Sequence, residues 1–263
     1  MTLTLCLAAH AVLTCADARE KAALTGQFAS AWRAGGIKQI GHGALPDRPA
    51  RPASPELMAP REMPRRRTGG LAGRIALLHA LAHIELNAID LAWDLIGRFS
   101  DDALPRAFYD DWVAVADDEA RHFGLLADRL EALGSYYGAL PAHDGLWLAA
   151  QRTAHDLLAR LAVVPLVLEA RGLDVTPGIA SRLRDAGDVD SAAIVEVIAA
   201  EEVSHVGAGW RWFVYAATAR GAEPERTYRE LIRAHYGAAL KPPFNSAARL
   251  KAGLPPALCD AAG

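Results

Sequence analysis

The chain has 263 residues, of which 52% are hydrophobic, so it can bury the core of one large domain or two small ones. Alanine and leucine dominate this hydrophobic fraction, which predicts an all-α fold. A net charge of -3 gives no global reason to expect nucleic-acid binding, and Cys6, Cys15 and Cys259 lack metal-ligand spacing, which favours a reducing, cytoplasmic location.

Residues 1–40 are predicted to form N-terminal helices. The apolar run 3–13 also resembles the hydrophobic part of a secretory signal peptide, but no lysine or arginine precedes it and the helix-favouring residues 18–21 follow it. A structural helix is therefore the favoured interpretation. No segment reaches the roughly 18 uninterrupted apolar residues of a membrane span, so we expect no membrane partner.

Residues 41–70 are predicted to form an extended arm, because proline at this density blocks helical and ladder hydrogen bonding. Two interpretations stay open. The arm is either a strap whose arginine stems cover the helices, or a surface for phosphate or an anionic partner, tRNA included. The residues concerned are Pro46, Pro49, Pro52, Pro55, Pro60 and Pro64, with Arg48, Arg51, Arg61, Arg65, Arg66 and Arg67.

Residues 71–218 are predicted to form a four-helix bundle, with helices at about 71–99, 105–133, 146–172 and 191–218. Each helix carries an apolar stripe at helical spacing. Pro165 within the third helix predicts a kink or a wide turn. Residues 134–145 are predicted to form the crossover connection between the two halves, and residues 174–190 to form a loop with a short helical piece at 179–186. A further helix and a tail are predicted for residues 219–263.

Glutamate and histidine interrupt these apolar stripes in a repeated pattern. Glu119 and His122 form one Glu-x-x-His motif, and Glu202 and His205 form a second. Glu85 precedes Glu119 by 34 residues, and Glu169 precedes Glu202 by 33. Residues three apart leave the same face of a helix, so each motif directs two donor groups to one point. This arrangement matches the ligand set of carboxylate-bridged dinuclear sites in four-helix bundles.

Four carboxylates in an apolar interior need a counter-charge, and two metal ions are the simplest source. Asp118 and Glu201 lie four residues before His122 and His205, so each is a candidate to accept the imidazole N–H. They are also explained as ordinary helical contacts. His83 is about 200° around the helix from Glu85, so a surface or interhelix role is predicted for it.

Three segments carry a resemblance to a known group of proteins. Residues 83–90 (HIELNAID), 118–123 (DEARHF) and 201–206 (EEVSHV) resemble the ferritin-like superfamily with carboxylate-bridged di-iron centres. The similarity is closest to a bacterial ferritin-like family of unknown function and covers nearly the whole chain. The arm segment 60–66 and the tail segment 243–245 also resemble it. A more distant similarity links the chain to the tRNA hydroxylase that acts on an isopentenyl-type adenosine.

The resemblance implies a single ferritin-like domain over residues 1–263, with two iron ions as cofactors and manganese as an alternative. It implies an oxidoreductase that uses O2 or peroxide to oxidise or hydroxylate a small molecule or a modified nucleoside, with electrons from a separate donor. Glu119 and Glu202 would be catalytic. A ferroxidase and a non-catalytic helical scaffold stay open as alternatives. The implied metal ligands are Glu85, Glu119, His122, Glu169, Glu202 and His205.

Overall fold

The computed structural model describes residues 2–63, 70–100, 103–237 and 240–259. The all-α prediction is confirmed: the described residues are mainly helical, and the strands β1 (Leu57–Met58) and β2 (Ala142–His143) form only a short parallel pair. The chain separates into two compact units, Met1–Trp147 and Leu148–Gly263. The single-domain organisation stays a prediction.

The described part of the first unit contains a short 3-10 helix at Pro60–Glu62 and four complete α-helices, which follow the predicted order: α1 (Leu5–Thr14), α2 (Ala18–Arg33), α3 (Gly70–Arg98) and α4 (Arg106–Ala132). The side chain of Thr4 caps α1, and the carboxylate of Asp17 caps α2 by accepting a hydrogen bond from the Glu20 amide. α3 packs mainly against α4, while α1 packs against α3 and α2 against α4.

Helix α3 is long and apolar enough to cross a membrane, yet 72% of its most apolar window is buried inside the protein. A core helix of a soluble protein passes the same test of length and composition. The cytoplasmic location stays a prediction.

The arm forms a strap along the first unit. The Ala50 amide donates a hydrogen bond to the carbonyl oxygen of Leu13 in α1 at 2.7 Å, and β1 pairs with β2. Arg48 forms an ion pair with Asp144, and Arg51 reaches the buried carboxylate of Asp90. These contacts agree with the strap interpretation for the described part of the arm. Pro64, Arg65, Arg66 and Arg67, and with them part of the predicted arm, lie outside the described residues.

The second unit differs from the prediction in its first half. The predicted helix at 146–172 is wrong as one continuous element, because this region is divided into two α-helices, a π-helix and the start of a third α-helix. The predicted loop at 174–190 is wrong for residues 174–178, which belong to the third α-helix. The short helical piece predicted within that loop is the second half of the same helix, and residues 186–188 connect it to the next one. The elements of this region are α5 (Gly145–Arg152), whose first residues belong to the first unit, α6 (Leu157–Val163), the π-helix Val164–Glu169 and α7 (Ala170–Asp185).

The wide turn predicted at Pro165 is confirmed by this π-helix. Opposite it, Gly209 of the long helix that follows α7 leaves room for the proline ring, since a Cβ at Gly209 would lie 2.5 Å from the Cβ of Pro165. The rest of the second unit contains α8 (Val189–Ala219), α9 (Pro224–Leu231), a second π-helix at Ile232–Tyr236, α10 (Ser246–Lys251) and α11 (Pro256–Cys259).

Candidate metal centre

A compact Glu/His cluster lies between α3 and α4 in the first unit. His122 Nδ1 lies 3.4 Å from Oε2 of Glu85 and 3.4 Å from Oε2 of Glu119. One ligand atom of each residue lies within 4.8 Å of the other two. Glu85 is 3% exposed, and Glu119 and His122 are fully buried. We call these three residues the first cluster. Two carboxylates and one imidazole directed at one point are donors that suit a divalent transition metal.

The pKa values of the first cluster show how strongly its charges interact. Burial, together with repulsion from Glu119, raises the pKa of the Glu85 carboxyl to about 8. Burial lowers the pKa of His122, but the Glu119 and Glu85 carboxylates outweigh this effect and raise it to about 11. A cation would remove the cost of holding two carboxylates together. Metal binding would then replace these protons, because the ligands must be carboxylates and a neutral imidazole.

One atom of the first cluster is poorly satisfied by the protein itself. Oε2 of Glu85 is buried and receives no hydrogen bond of good geometry from the residues that the structure describes. A buried carboxylate oxygen in this state is costly unless another group binds it. The donor set and this oxygen therefore fit a bound metal ion.

The second unit repeats the Glu-x-x-His arrangement on α8. Glu202 and His205 are 7% and 1% exposed, and His205 Nδ1 lies 3.7 Å from Glu202 Oε2. Glu169 is half-buried and ends the π-helix. A Cβ at Gly172 would lie 3.9 Å from Glu202 Cγ, so the Glu202 side chain runs alongside the first turn of α7. Glu202 and His205 thus resemble Glu119 and His122 in type, burial and spacing. The assignment of all six residues to one site stays a prediction.

The two further carboxylates singled out by the sequence are less buried. Asp118 Oδ1 accepts a hydrogen bond from Arg121 Nη2 at 3.0 Å, and its side chain is 35% exposed. Glu201 is half-buried, and its backbone carbonyl accepts a hydrogen bond from the Ser204 hydroxyl. A role for Asp118 or Glu201 in orienting an imidazole stays a prediction.

The sequence matches the family described as protein of unknown function (DUF455) over residues 14–260. The chain belongs to this family. An uncharacterized protein from Haemophilus influenzae is 40% identical over 207 residues, which cover 77% of this chain and 72% of that relative. No solved structure matches the chain. All six predicted ligands of this DUF455 protein lie within the matched range.

A second buried polar group of this DUF455 protein was missed by the sequence reasoning. Lys21 Nζ lies 2.5 Å from Asp90 Oδ1, and Arg51 Nη1 lies 2.6 Å from Asp90 Oδ2. Arg51 Nη2 donates to Asn87 Oδ1 at 2.6 Å, which directs the Asn87 amide nitrogen toward the His83 carbonyl oxygen, 2.7 Å away. These contacts attach the arm to α3. Within the segment 83–90, Glu85 therefore belongs to the first cluster, whereas Asn87 and Asp90 bind the arm.

His83 is buried, so the surface alternative for it is wrong. Its Nδ1 lies 2.9 Å from the Tyr137 hydroxyl, and its Nε2 lies 3.1 Å from the His143 carbonyl oxygen. Burial, with the positive charge of Arg51, lowers the pKa of His83 to about 3, so the ring is neutral. His83, Asn87 and Asp90 recur at helical spacing on one face of α3, and this periodicity was the signal available in the sequence.

Proposed function

We propose that this DUF455 protein is a dinuclear-metal oxidoreductase, in which two iron ions use O2 or peroxide to oxidise or hydroxylate a small organic substrate. The first cluster carries this proposal, because its two carboxylates share one small buried volume with a single imidazole. The repeat of the Glu-x-x-His motif in the second unit supports a second ion. The ligands would be Glu85, Glu119, His122, Glu169, Glu202 and His205, in a ferritin-like arrangement.

The protein residues have roles that follow from their chemistry. The carboxylates of Glu119 and Glu202 neutralise the positive charge of the ions, while His122 and His205 donate a neutral nitrogen each. The surrounding apolar helices exclude water. When bound, the iron ions supply the electron-transfer steps that O2 reduction requires. In a hydroxylation, the substrate C–H bond, O2, two protons and two electrons yield a C–OH group and water, with the electrons supplied by a separate reductase or ferredoxin-type donor.

Within the described part of the arm, the ion pairs of two arginines favour a small-molecule substrate over tRNA. Arg48 and Arg51 are engaged by the carboxylates of Asp144 and Asp90 within the same unit. They therefore stabilise the strap, whereas a phosphate-binding surface needs arginines directed at the nucleic acid.

Iron binding tests the proposal. The protein, made metal-free and then loaded anaerobically with Fe²⁺, is expected to bind two ions per chain by metal analysis. Glu119→Gln keeps the size of the side chain but removes the charge of a ligand, so the Fe²⁺ affinity should fall at least about 10-fold. Glu131→Gln on the same helix is the matched control, since Glu131 is exposed and pairs with Arg19. Wild-type protein without iron affinity, or Glu119→Gln with wild-type affinity, contradicts the proposal.

Oxygen uptake separates the proposed oxidation from iron handling alone. An oxidoreductase supplied with a chemical reductant continues to consume O2 after its bound iron has been oxidised once, and it yields an oxidised organic product. A ferroxidase yields no oxidised organic product, because its O2 uptake is balanced by oxidation of Fe²⁺ alone. Uptake of O2 without such a product, with every small-molecule pool tested, contradicts the proposed activity while leaving the metal centre in place.

A further inference from the structure

Two prolines interrupt the helical stretch that carries Glu169. Pro165 lies four residues before Glu169, and Pro177 lies eight residues after it. Because proline has no backbone N–H, the carbonyl oxygens of Leu161 and Leu173 lose their usual helical donors. A helix weakened on both sides of one side chain needs other groups to fix the direction of that side chain.

The C-terminal segment supplies a replacement donor at the second proline. Asn245 Nδ2 donates to the Leu173 carbonyl oxygen at 3.1 Å, where the amide of residue 177 would otherwise bind. The Asn245 backbone amide donates to Asp174 Oδ1 at 2.9 Å. Arg249 grips both oxygens of Asp174, with Nε at 2.8 Å and Nη2 at 2.7 Å, and both side chains are almost fully buried. A buried, bidentate ion pair of this kind holds its two side chains in one relative orientation.

The same turn is held from its other side by Arg171. Arg171 Nη1 donates to the carbonyl oxygens of Lys241 and Pro243, at 2.7 and 2.9 Å. Residues 241–249 are thus bound to the turn 171–174. This turn begins two residues after Glu169 and contains Gly172, which lies against the Glu202 side chain.

A second contact reaches the π-helix itself. The hydroxyl of Tyr228, on α9, donates to the carbonyl oxygen of Leu166 at 3.3 Å, and Tyr228 is 2% exposed. In a π-helix the backbone hydrogen bonds span five residues instead of four, so the residues after it are rotated relative to a regular helix. Whatever stabilises the wide turn therefore sets the direction in which Glu169 leaves the helix.

We propose that Tyr228 and Arg249 are positioning residues, which hold the π-helix and the following turn of α7 so that Glu169 is directed as a metal ligand. This inference rests on the proposed dinuclear centre. Neither residue contacts the metal in this proposal; Tyr228 acts through the Leu166 carbonyl and Arg249 acts through Asp174.

Metal affinity distinguishes positioning from simple stabilisation. Tyr228→Phe removes one hydroxyl and keeps the ring, and it is expected to weaken Fe²⁺ binding about 10-fold, as substitutions behind metal ligands do. With Co²⁺ as a probe, the visible absorption bands should shift, because they report ligand geometry. Tyr109→Phe is the matched control, since Tyr109 is also 2% exposed but lies on α4. Both measurements are made well below the unfolding temperature of each variant.

Substitutions of Arg249 test the same inference independently. Arg249→Ala should weaken Fe²⁺ binding, and Arg249→Lys should restore part of the affinity, because lysine keeps the charge but loses the two-pronged contact. If Arg249→Ala does not fold, Tyr228→Phe decides the question. Lower unfolding temperatures with wild-type Fe²⁺ affinity and an unchanged Co²⁺ spectrum overturn the inference alone. A wild-type protein that binds no Fe²⁺ overturns the proposed function as well.

Discussion

Four of the described buried carboxylates show two contrasting environments. Asp90 is paired with Lys21 and Arg51, and Asp174 is paired with Arg249, so these charges are balanced by arginine and lysine. In contrast, the carboxylates of Glu85 and Glu119 each lie 3.4 Å from the same nitrogen, Nδ1 of His122. The balanced pairs hold elements together. The first cluster stores like-charge repulsion, a feature that is typical of functional sites.

The Asp90 group gives a stability prediction. Asp90→Asn keeps the shape of the side chain but leaves Lys21 and Arg51 without their carboxylate in a buried position. Because Lys21 is only 1% exposed, we expect the unfolding free energy to fall by about 3–5 kcal/mol. Urea unfolding of metal-free protein measures the change.

An exposed ion pair provides the control for this substitution. Asp128 pairs with Arg19 at 2.6 Å, but the two side chains are 70% and 46% exposed. Asp128→Asn should therefore change the unfolding free energy by no more than about 1 kcal/mol. Equal effects of the two substitutions would show that the buried group contributes no special stability.

The sequence predicted the role of a single residue only where that role follows from the residues nearby in the chain. Glu85, Glu119 and His122 interrupt apolar stripes, and such interruptions can be read directly from the helical period. Asp90 was different, because its partner Lys21 is 69 residues away and Arg51 belongs to an irregular segment. Periodicity fixes which face of a helix a residue occupies. It does not specify which distant side chain meets that residue, so the buried ion pairs could not be predicted.

At the scale of helices, the prediction succeeded where one element buries one continuous stripe. α3, α4 and α8 were predicted nearly in full. The middle of α7 was missed because Thr176, Pro177 and Gly178 together indicate a loop in isolation. The helix continues there because Leu173, Ile179 and Leu183 are buried and because Asn245, 72 residues away, replaces the lost donor. Tertiary contacts had overridden the local signal.

Gly209 gives a prediction for the π-helix. A Cβ at this position would lie 2.5 Å from Pro165 Cβ, so Gly209→Ala requires the two helices to separate. We expect a loss of about 1–3 kcal/mol of unfolding free energy, as in other overpacked cores. Because the displaced residue belongs to the wide turn before Glu169, Fe²⁺ affinity should fall as well. Thermal or urea unfolding and metal titration measure the two effects.

Gly124 is the matched control for Gly209. It also lies inside a long helix, but a Cβ there would meet no atom within 4 Å. Gly124→Ala should therefore stabilise the protein by about 0.5–1 kcal/mol through the higher helix propensity of alanine. A stable Gly209→Ala variant with wild-type Fe²⁺ affinity would contradict the role given to the Pro165–Gly209 contact.

For the whole molecule, the central feature is that each unit has its own buried core and its own Glu-x-x-His motif. Two arrangements explain this repetition. Each unit could bind metal independently, or the six ligands could act as one dinuclear centre, as we propose. The two arrangements differ in how a substitution in one unit affects metal held by residues of the other.

Glu202→Ala decides between these arrangements. In one dinuclear centre, the loss of this ligand weakens both ions, so bound iron should fall well below one ion per chain, and Glu119→Gln should have the same effect. Free Fe²⁺ at 100 times the dissociation constant should stabilise the wild-type protein by about 2.7 kcal/mol for each bound ion, and either variant should lose this stabilisation. Metal analysis and anaerobic calorimetry measure both quantities. If each variant retained one tightly bound ion, the units would bind metal separately. A single ion per unit would leave no pair of metals to share the electrons of O2 reduction, and the proposed oxidation would lose its basis.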